Sequence, residues 1–441
     1  MRNSRLTDPL KRPQFRRLAV SYAVNELGDW MGIVALSVLV YDRTGSAMAT
    51  AALFLGTRFL PALVAPVLVA RVEQPPPRFA LPVIYCGEAA AFGALALLAG
   101  DDFFLAGVIV LAVVDGSLAL AGRALTRAVV AALLEEDGEL RAGNAVLNVA
   151  FTGGAAIGPA IAGLVVAGFG VQAALLLDAV SFYAIAWILL TAGALPQAEP
   201  EPGLARERVR AGIAYIRERP TLLRLLIAQG AAFVFFAAVI PIEVIYAKQT
   251  LDAGDSGYGL LLASWGAGMV LGSIVFAAVR RAPLPVLLFF STIAVGAGYL
   301  GLAAAPTLAL ACAAGAVGGA GNGVQWVSAI SAVQELTAQG MQARVMSVLE
   351  SIGAAMPGVG YLLGGLIVSG ADPRTAFLVA GLGVLSIVAI ATPLLGRKWP
   401  ERRENTGLDP VDAGAEIMVE LIPVGERPPG RSSASARPTR R

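Results

Sequence analysis

Apolar residues in this chain run in long blocks separated by short polar stretches. A helix needs about 20 apolar residues to cross the hydrocarbon core of a bilayer. Twelve blocks reach that length, roughly 18–41, 46–70, 79–99, 102–122, 142–168, 171–194, 221–247, 256–279, 284–304, 307–334, 343–369 and 374–396. The ten-residue alternation of a transmembrane barrel strand is absent. The pattern predicts an all-α membrane protein with twelve transmembrane helices. Its expected parts are a basic N-terminus (1–17), a six-helix bundle (18–194), a linker (195–220), a second six-helix bundle (221–396) and a polar tail (397–441).

Basic residues orient these spans. With both termini in the cytoplasm, the inner segments hold Arg12, Arg16, Arg17, Arg71, Arg78, Arg123, Arg127, Arg141, the arginines of 206–224, Arg280, Arg281 and Arg344. The outer loops keep only Arg43, Lys248 and Arg374. The same bias appears in both halves, as expected when positive charge stays inside.

The halves also match each other. Residues 138–168 align without a gap on 340–370, so that Gly138, Gly158, Gly163 and Gly168 fall on Gly340, Gly360, Gly365 and Gly370, and Asn148 falls on Glu350. A duplicated six-helix unit places a substrate site between the halves near the membrane midplane. In the linker, 195–203 is rich in Pro and Glu and reads as a flexible strap. Residues 206–219 put Val209, Ile213 and Ile216 on one face of a helix suited to the inner membrane surface. The tail reads as disordered, with one short apolar island at 415–424.

Composition narrows the chemistry. Of 441 residues 57% are apolar and 15% charged, outside the range of soluble domains. Cys86 and Cys312 both lie in apolar blocks, so neither a disulfide framework nor a metal site is expected. There is no histidine, so a side chain that carries a proton near neutral pH must be a carboxyl group. The first apolar block is too long for a cleavable signal and lacks a small-residue cleavage site. No nucleophile–base set and no phosphate-binding loop is visible, so an enzyme or direct ATP coupling is not expected.

Polar residues inside apolar blocks mark function, because each is costly at bilayer depth. Ser21, Tyr22, Asn25, Glu26 and Asp29 fall within about 140° of arc on the first helix, a stripe expected to face a central cavity. Asp29 and Arg58 stand at the midpoints of the first and second blocks. They are expected to pair, either as a proton-coupled switch with Glu26 or as a fixed packing contact. Asp115 is a further cavity candidate, and Glu88 is expected to pair or line the cavity. Arg123 and Arg127 come at the inner end of the fourth block and are expected to snorkel to the interface. Asp178 reads as structural, and Glu243 and Lys248 as interfacial. Asn322, Gln325 and Trp326 share a face of the tenth block. With Asn148 and Glu350 they are expected either to line an amphipathic pocket or to bond between helices. Gly158 and Pro159 are expected to bend the fifth helix.

Several local sequences carry a family resemblance. Gln14-Phe15-Arg16-Arg17-Leu18, Gly28-Asp29 and Tyr41-Asp42-Arg43-Thr44-Gly45-Ser46 look like a first helix and outer loop. Gly158-Pro159-Ala160-Ile161-Ala162-Gly163 resembles an exporter antiporter motif, and Asp178-Ala179-Val180-Ser181-Phe182 and 209–220 fit the same branch. Over about residues 10–397 the chain resembles the major facilitator superfamily, in its bacterial efflux branch of enterobactin-, macrolide- and tetracycline-exporter-like proteins. The resemblance implies a monomeric multi-pass protein of the bacterial inner membrane. It would export a small molecule in exchange for protons, with no cofactor beyond the proton gradient and no nucleic-acid partner. It implies gating roles for Gly158, Pro159, Gly163 and Arg71. One departure stands out. The family's acidic position between helices two and three is Ala70 here, and most of the basic cluster that follows is gone. An importer, a siderophore or lipid transporter, and a non-transporting membrane sensor stay open as alternatives.

Overall fold

The computed structural model describes residues 8–64, 76–134, 139–191, 193, 195–196, 205–279, 282–338 and 341–395. Ala70, Arg71, Gly138, Gly340 and the tail lie outside the described residues, as does most of the proposed strap.

Helix α1 spans Pro13–Thr44 and ends at Gly45, whose φ of 60° lies in the left-handed region that glycine tolerates. Ser46 caps α2 by accepting the Ala49 N–H at 3.2 Å. Helix α2 covers Ala47–Phe54 and continues through a π turn, Leu55–Phe59, that carries Arg58. Next come α3 (Pro77–Leu98) and α4 (Leu105–Leu134). The stretch Leu140–Leu190 breaks at Gly170, where φ 83° and ψ 166° suit only glycine. The break separates α5 (140–169) from α6 (171–190).

Helix α7 is Ala205–Arg217. Helix α8 starts at Pro220–Val239 and runs on through a 3₁₀ turn, Ile240–Ile242, a short α turn and a π turn, Tyr246–Thr250. Then follow α9 (Gly254–Ala278), α10 (Leu284–Ala304), α11 (Leu308–Glu335), α12 (Gln342–Gly370) and α13 (Pro373–Leu395).

Ten helical stretches among the described residues are long and apolar enough to cross a membrane, with α5 and α6 taken as one. Helix α11 is not among these ten. Its glycines between 315 and 323, with Asn322 and Gln325, dilute its apolar content.

Helices α1 to α6 pack mainly on one another, with α1 and α3 against α5–α6. Helices α8 to α13 do likewise, with α11 between α9 and α10. Two seams join the groups, α5 on α9 and α2 on α12. The first seam is close because Pro159 has no N–H to give the carbonyl of Ala155, one turn back. The backbone of Gly266 presses on that carbonyl, where a Cβ would overlap it. Farther along, Gly163 meets Gly259. In the second seam Gly365 meets Met48 and Ala51, and Gly358 meets the Phe59 ring. The repeat-related glycines 163 and 365 therefore do the same job in the two seams.

Helix α7 docks on protein along one face. Ile216 is buried with Leu222, Leu225 and Val345, and Gly212 lies on the Arg344 carbonyl of α12. Ile213 stays partly exposed. The expected membrane-surface helix thus spends much of its apolar face on α12.

Candidate functional site

The polar stripe of α1 meets α4. Arg123 Nη2 donates to Asp29 Oδ2, and Arg123 Nε lies 3.8 Å from Glu26 Oε1. Asn25 Nδ2 donates to the same Asp29 oxygen at 3.3 Å. Tyr22 is within hydrogen-bonding reach of Glu26, one helical turn on. Asn25 and Glu26 are each only 2% exposed.

This arrangement corrects two expectations. Asp29 pairs with Arg123, not with Arg58, and Arg123 does not snorkel to the interface. The physical reason is the length of α4. The helix runs through to Leu134, because Ala128–Leu134 continues the apolar block past the two arginines. Arg123 therefore stands inside a 30-residue helix rather than at its end. The uninterrupted apolar run after Arg127 was the available signal. Arg58 makes no ion pair among the described residues and is exposed.

Arg58 nevertheless shares a small cavity with Asp29. Asp29, Arg58, Asp115 and Arg123 supply its charged wall, and Ile33, Leu36 and Phe92 part of its apolar wall. Its volume is about 60 Å³. That is room for a few water molecules, and far below the ~300 Å³ at which pockets for drug-sized ligands begin. The cavity suits protons and water, not an organic cargo.

Two further carboxyl groups lie beside it. Glu88 on α3 and Asp178 on α6 are both 0% exposed. Asp178 Oδ1 accepts from Ser181 Oγ at 3.2 Å, while its Oδ2 has no hydrogen-bond partner. Gly28 and Gly32 of α1 make room for this carboxyl group.

The other predicted residues are dispersed. Gln325 Nε2 donates to Thr292 Oγ1 at 3.0 Å, a buried bond from α11 to α10. Trp326 turns the other way, 42% exposed and tilted against Phe233 of α8 at 6.0 Å. Asn322 is half-buried between them. Asn148 and Glu350 are exposed at matching levels of α5 and α12. Gly158 seats the Trp30 side chain, and Pro159 sits within a continuous helix. Lys248, read as interfacial, bridges the groups. Its Nζ lies 2.6 Å from Asp42 Oδ1 of α1 and 2.8 Å from Asp255 Oδ1 of α9.

Exposure along the seams is uneven. Near the Lys248 bridge, α5 and α12 bury Ala162, Gly163, Gly364 and Gly365. Toward the end that carries the start of α1 they expose Asn148, Phe151 and Glu350. At the Lys248 end the groups touch closely, Gly163 on Gly259 and Gly365 on Met48 and Ala51.

Comparison with known proteins agrees with this fold. A nucleoside transporter, NupG, in a point-mutant form, superposes with a TM-score of 0.70 at 12% identity, covering 86% of this chain and 99% of that one. A POT family transporter in complex with a thioalcohol-conjugated peptide gives 0.69 at 14% identity, covering 87% and 96%. A bacterial homologue of the human lysosomal transporter Spinster, inward-facing and unoccupied, gives 0.64 at 13% identity, covering 90% and 100%. No curated protein matches by sequence. Residues 4–410 match the MFS_3 family, described as transmembrane secretion effector. The chain belongs to that family, and it is a multi-pass membrane transporter of the major facilitator type.

Proposed function

We propose that this protein is a proton-coupled exporter of hydrophobic or amphipathic small molecules in the bacterial inner membrane. Twelve helices, counted with α5 and α6 separate and α11 included, would form two six-helix bundles with both termini in the cytoplasm. The bundles rock about the α5–α9 and α2–α12 seams. The observation that carries this reading is the Asp29–Arg123 ion pair, with Glu26 beside it, on the wall of a water-sized cavity. Protonation of Asp29 removes the charge that holds Arg123 and frees α1 to move against α4. Breaking such a pair in a low-dielectric interior costs several kcal/mol unless a proton or a new partner compensates. Glu26 is the second acceptor within Arg123's range. Arg58 supplies positive potential across the cavity.

The Lys248–Asp42 bridge and the close contacts of Gly163 and Gly365 support an inward-open state, given cytoplasmic termini. The cargo would bind between the bundles, with Trp326, Phe233, Asn148 and Glu350 as candidate contacts. The experiment is a growth panel of toxic amphipathic compounds in a sensitised host, followed by uptake of any protected compound into inverted vesicles under an imposed pH gradient. Gradient-driven uptake that is lost in Asp29→Asn supports the reading. Uptake that ignores the gradient in the wild type contradicts it. The alternative is an importer of the same fold. Flux in the opposite direction in the same vesicles would establish it.

A further inference from the structure

Glu88 is a buried acidic group in the interior of α1–α6 for which the ion pair gives no account. It is 0% exposed, and neither carboxyl oxygen has a hydrogen-bond partner. An ionised carboxylate in such a place would forfeit its hydration with nothing in return, so the group is held as the neutral acid. The ionisable groups facing it are Asp29 from α1, Asp115 and Arg123 from α4, Asp178 from α6 and Tyr85 from its own helix. Arg123 is the cation among them.

Glu26 already lies 3.8 Å from that cation, and among the carboxyl groups not yet in contact with it the geometry favours Glu88. Asp178 is tied to Ser181 on its own helix and wedged at Gly28. Asp115 stands on the cavity wall. Glu88 Oε1 faces Gly122, the residue before Arg123, with open contact at 4.0 Å from where a Cβ would stand. Arg123 Nε is itself a buried donor without a hydrogen-bond partner. Arg123 Nε, 3.8 Å from Glu26 Oε1, and both Glu88 oxygens are thus buried without a hydrogen bond, on the neighbouring helices α4 and α3.

We propose that Glu88 is the alternate partner of Arg123, keeping its proton while Arg123 binds Asp29 and releasing it when Asp29 becomes protonated. The proposal rests on the proton-coupling reading above. In the exchange one proton passes from water to an Asp29 oxygen, and one leaves Glu88 Oε for water. The guanidinium exchanges one carboxylate for another, and no other bond changes. The net charge of the three groups is the same before and after. No uncompensated charge is left in the bundle, which is the condition that makes the switch affordable.

The test is infrared spectroscopy of the purified full-length protein at neutral pH, reading the carbonyl stretch of a protonated carboxyl group without a hydrogen bond. The expected result is such a band in the wild type, lost in Glu88→Gln. It is also lost in Asp29→Asn, where Arg123 has turned to Glu88. A band that survives Asp29→Asn, or one that Glu88→Gln leaves in place, overturns the proposal. Replacing sodium by a bulky organic cation must leave the wild-type band unchanged, since a band present only without sodium makes Glu88 a metal-ion ligand instead. If Glu88→Gln does not fold, ¹³C-glutamate labelling of a Glu26→Gln, Glu243→Gln background assigns the band without altering Glu88. These spectra involve no transport. Loss of the band in Asp29→Asn with gradient-driven transport intact would uphold the partner switch and defeat the coupling reading.

Discussion

The interiors of the two helix groups are built from different materials. Helices α1–α6 enclose Glu26, Asp29, Glu88, Asp178 and Arg123. Helices α8–α13 are filled instead by rings and glycines. Trp265 stacks on Tyr299 at 5.1 Å, Tyr246 meets Phe377 edge-on at 4.7 Å, and Gly319 and Gly323 lie on the α9 backbone. Interhelical packing of small and aromatic residues is sufficient to hold a bundle in lipid. Charges are not needed for that purpose and carry a cost. On the proposed reading the first group holds the coupling chemistry, and the second provides a scaffold that moves against it.

The contrast can be broken most sharply by removing one polar group from each interior. Arg123→Leu leaves Asp29 and Glu26 unpaired, and is expected to cost about 3–5 kcal/mol in thermal unfolding and to abolish transport. Tyr299→Phe deletes a buried hydroxyl that has no partner, and should change stability by less than ~1 kcal/mol. Equal losses in the two variants would erase the distinction. The seam comes next. Gly266→Leu must displace the Ala155 carbonyl, an overpacking cost of about 1–3 kcal/mol, with spin-label distances between α5 and α9 lengthened.

A smaller effect is expected at the closed end. Lys248→Ala removes the bridge to Asp42 and Asp255. With side chains partly open to solvent, the loss is about 0.5–1 kcal/mol, read as a shift of α1–α9 distances toward the opened seam. The smallest effect lies outside the membrane. Asp372 caps α13, accepting the Thr375 N–H at 2.9 Å and its hydroxyl at 2.6 Å. These bonds hold its carboxyl below the usual carboxylate range. The contribution is complete above the ordinary pKa of about 3.9 and fades as pH falls through the lowered value. Asp372→Ala should fray the start of α13, seen as faster amide exchange at Thr375 and little change elsewhere.

Much of this was legible in the chain. Twenty-residue apolar blocks follow directly from bilayer thickness, and the polar stripe of α1 emerged from helical geometry alone. The role of Gly163 and Gly365 in the seams was foreshadowed by the repeat. The partner of Asp29 was not. Depth along a single block sets which residues share a level, but the rotation and length of a neighbouring helix decide which side chain arrives. With the fourth block ending at 122, Arg123 falls at its inner end and reads as snorkelling. The separation of Gln325 from Trp326 was likewise hidden, because adjacent residues differ by about 100° on a helix and α10 offered Thr292 to one of them.

The central claim is that Asp29 carries the proton that drives transport. The direct measurement uses purified protein in liposomes with a compound identified by the growth panel. It compares exchange of labelled for unlabelled compound with accumulation against a pH gradient. Asp29→Asn is expected to exchange at close to the wild-type rate and to accumulate nothing. Accumulation at wild-type level by Asp29→Asn under the same gradient would contradict the account.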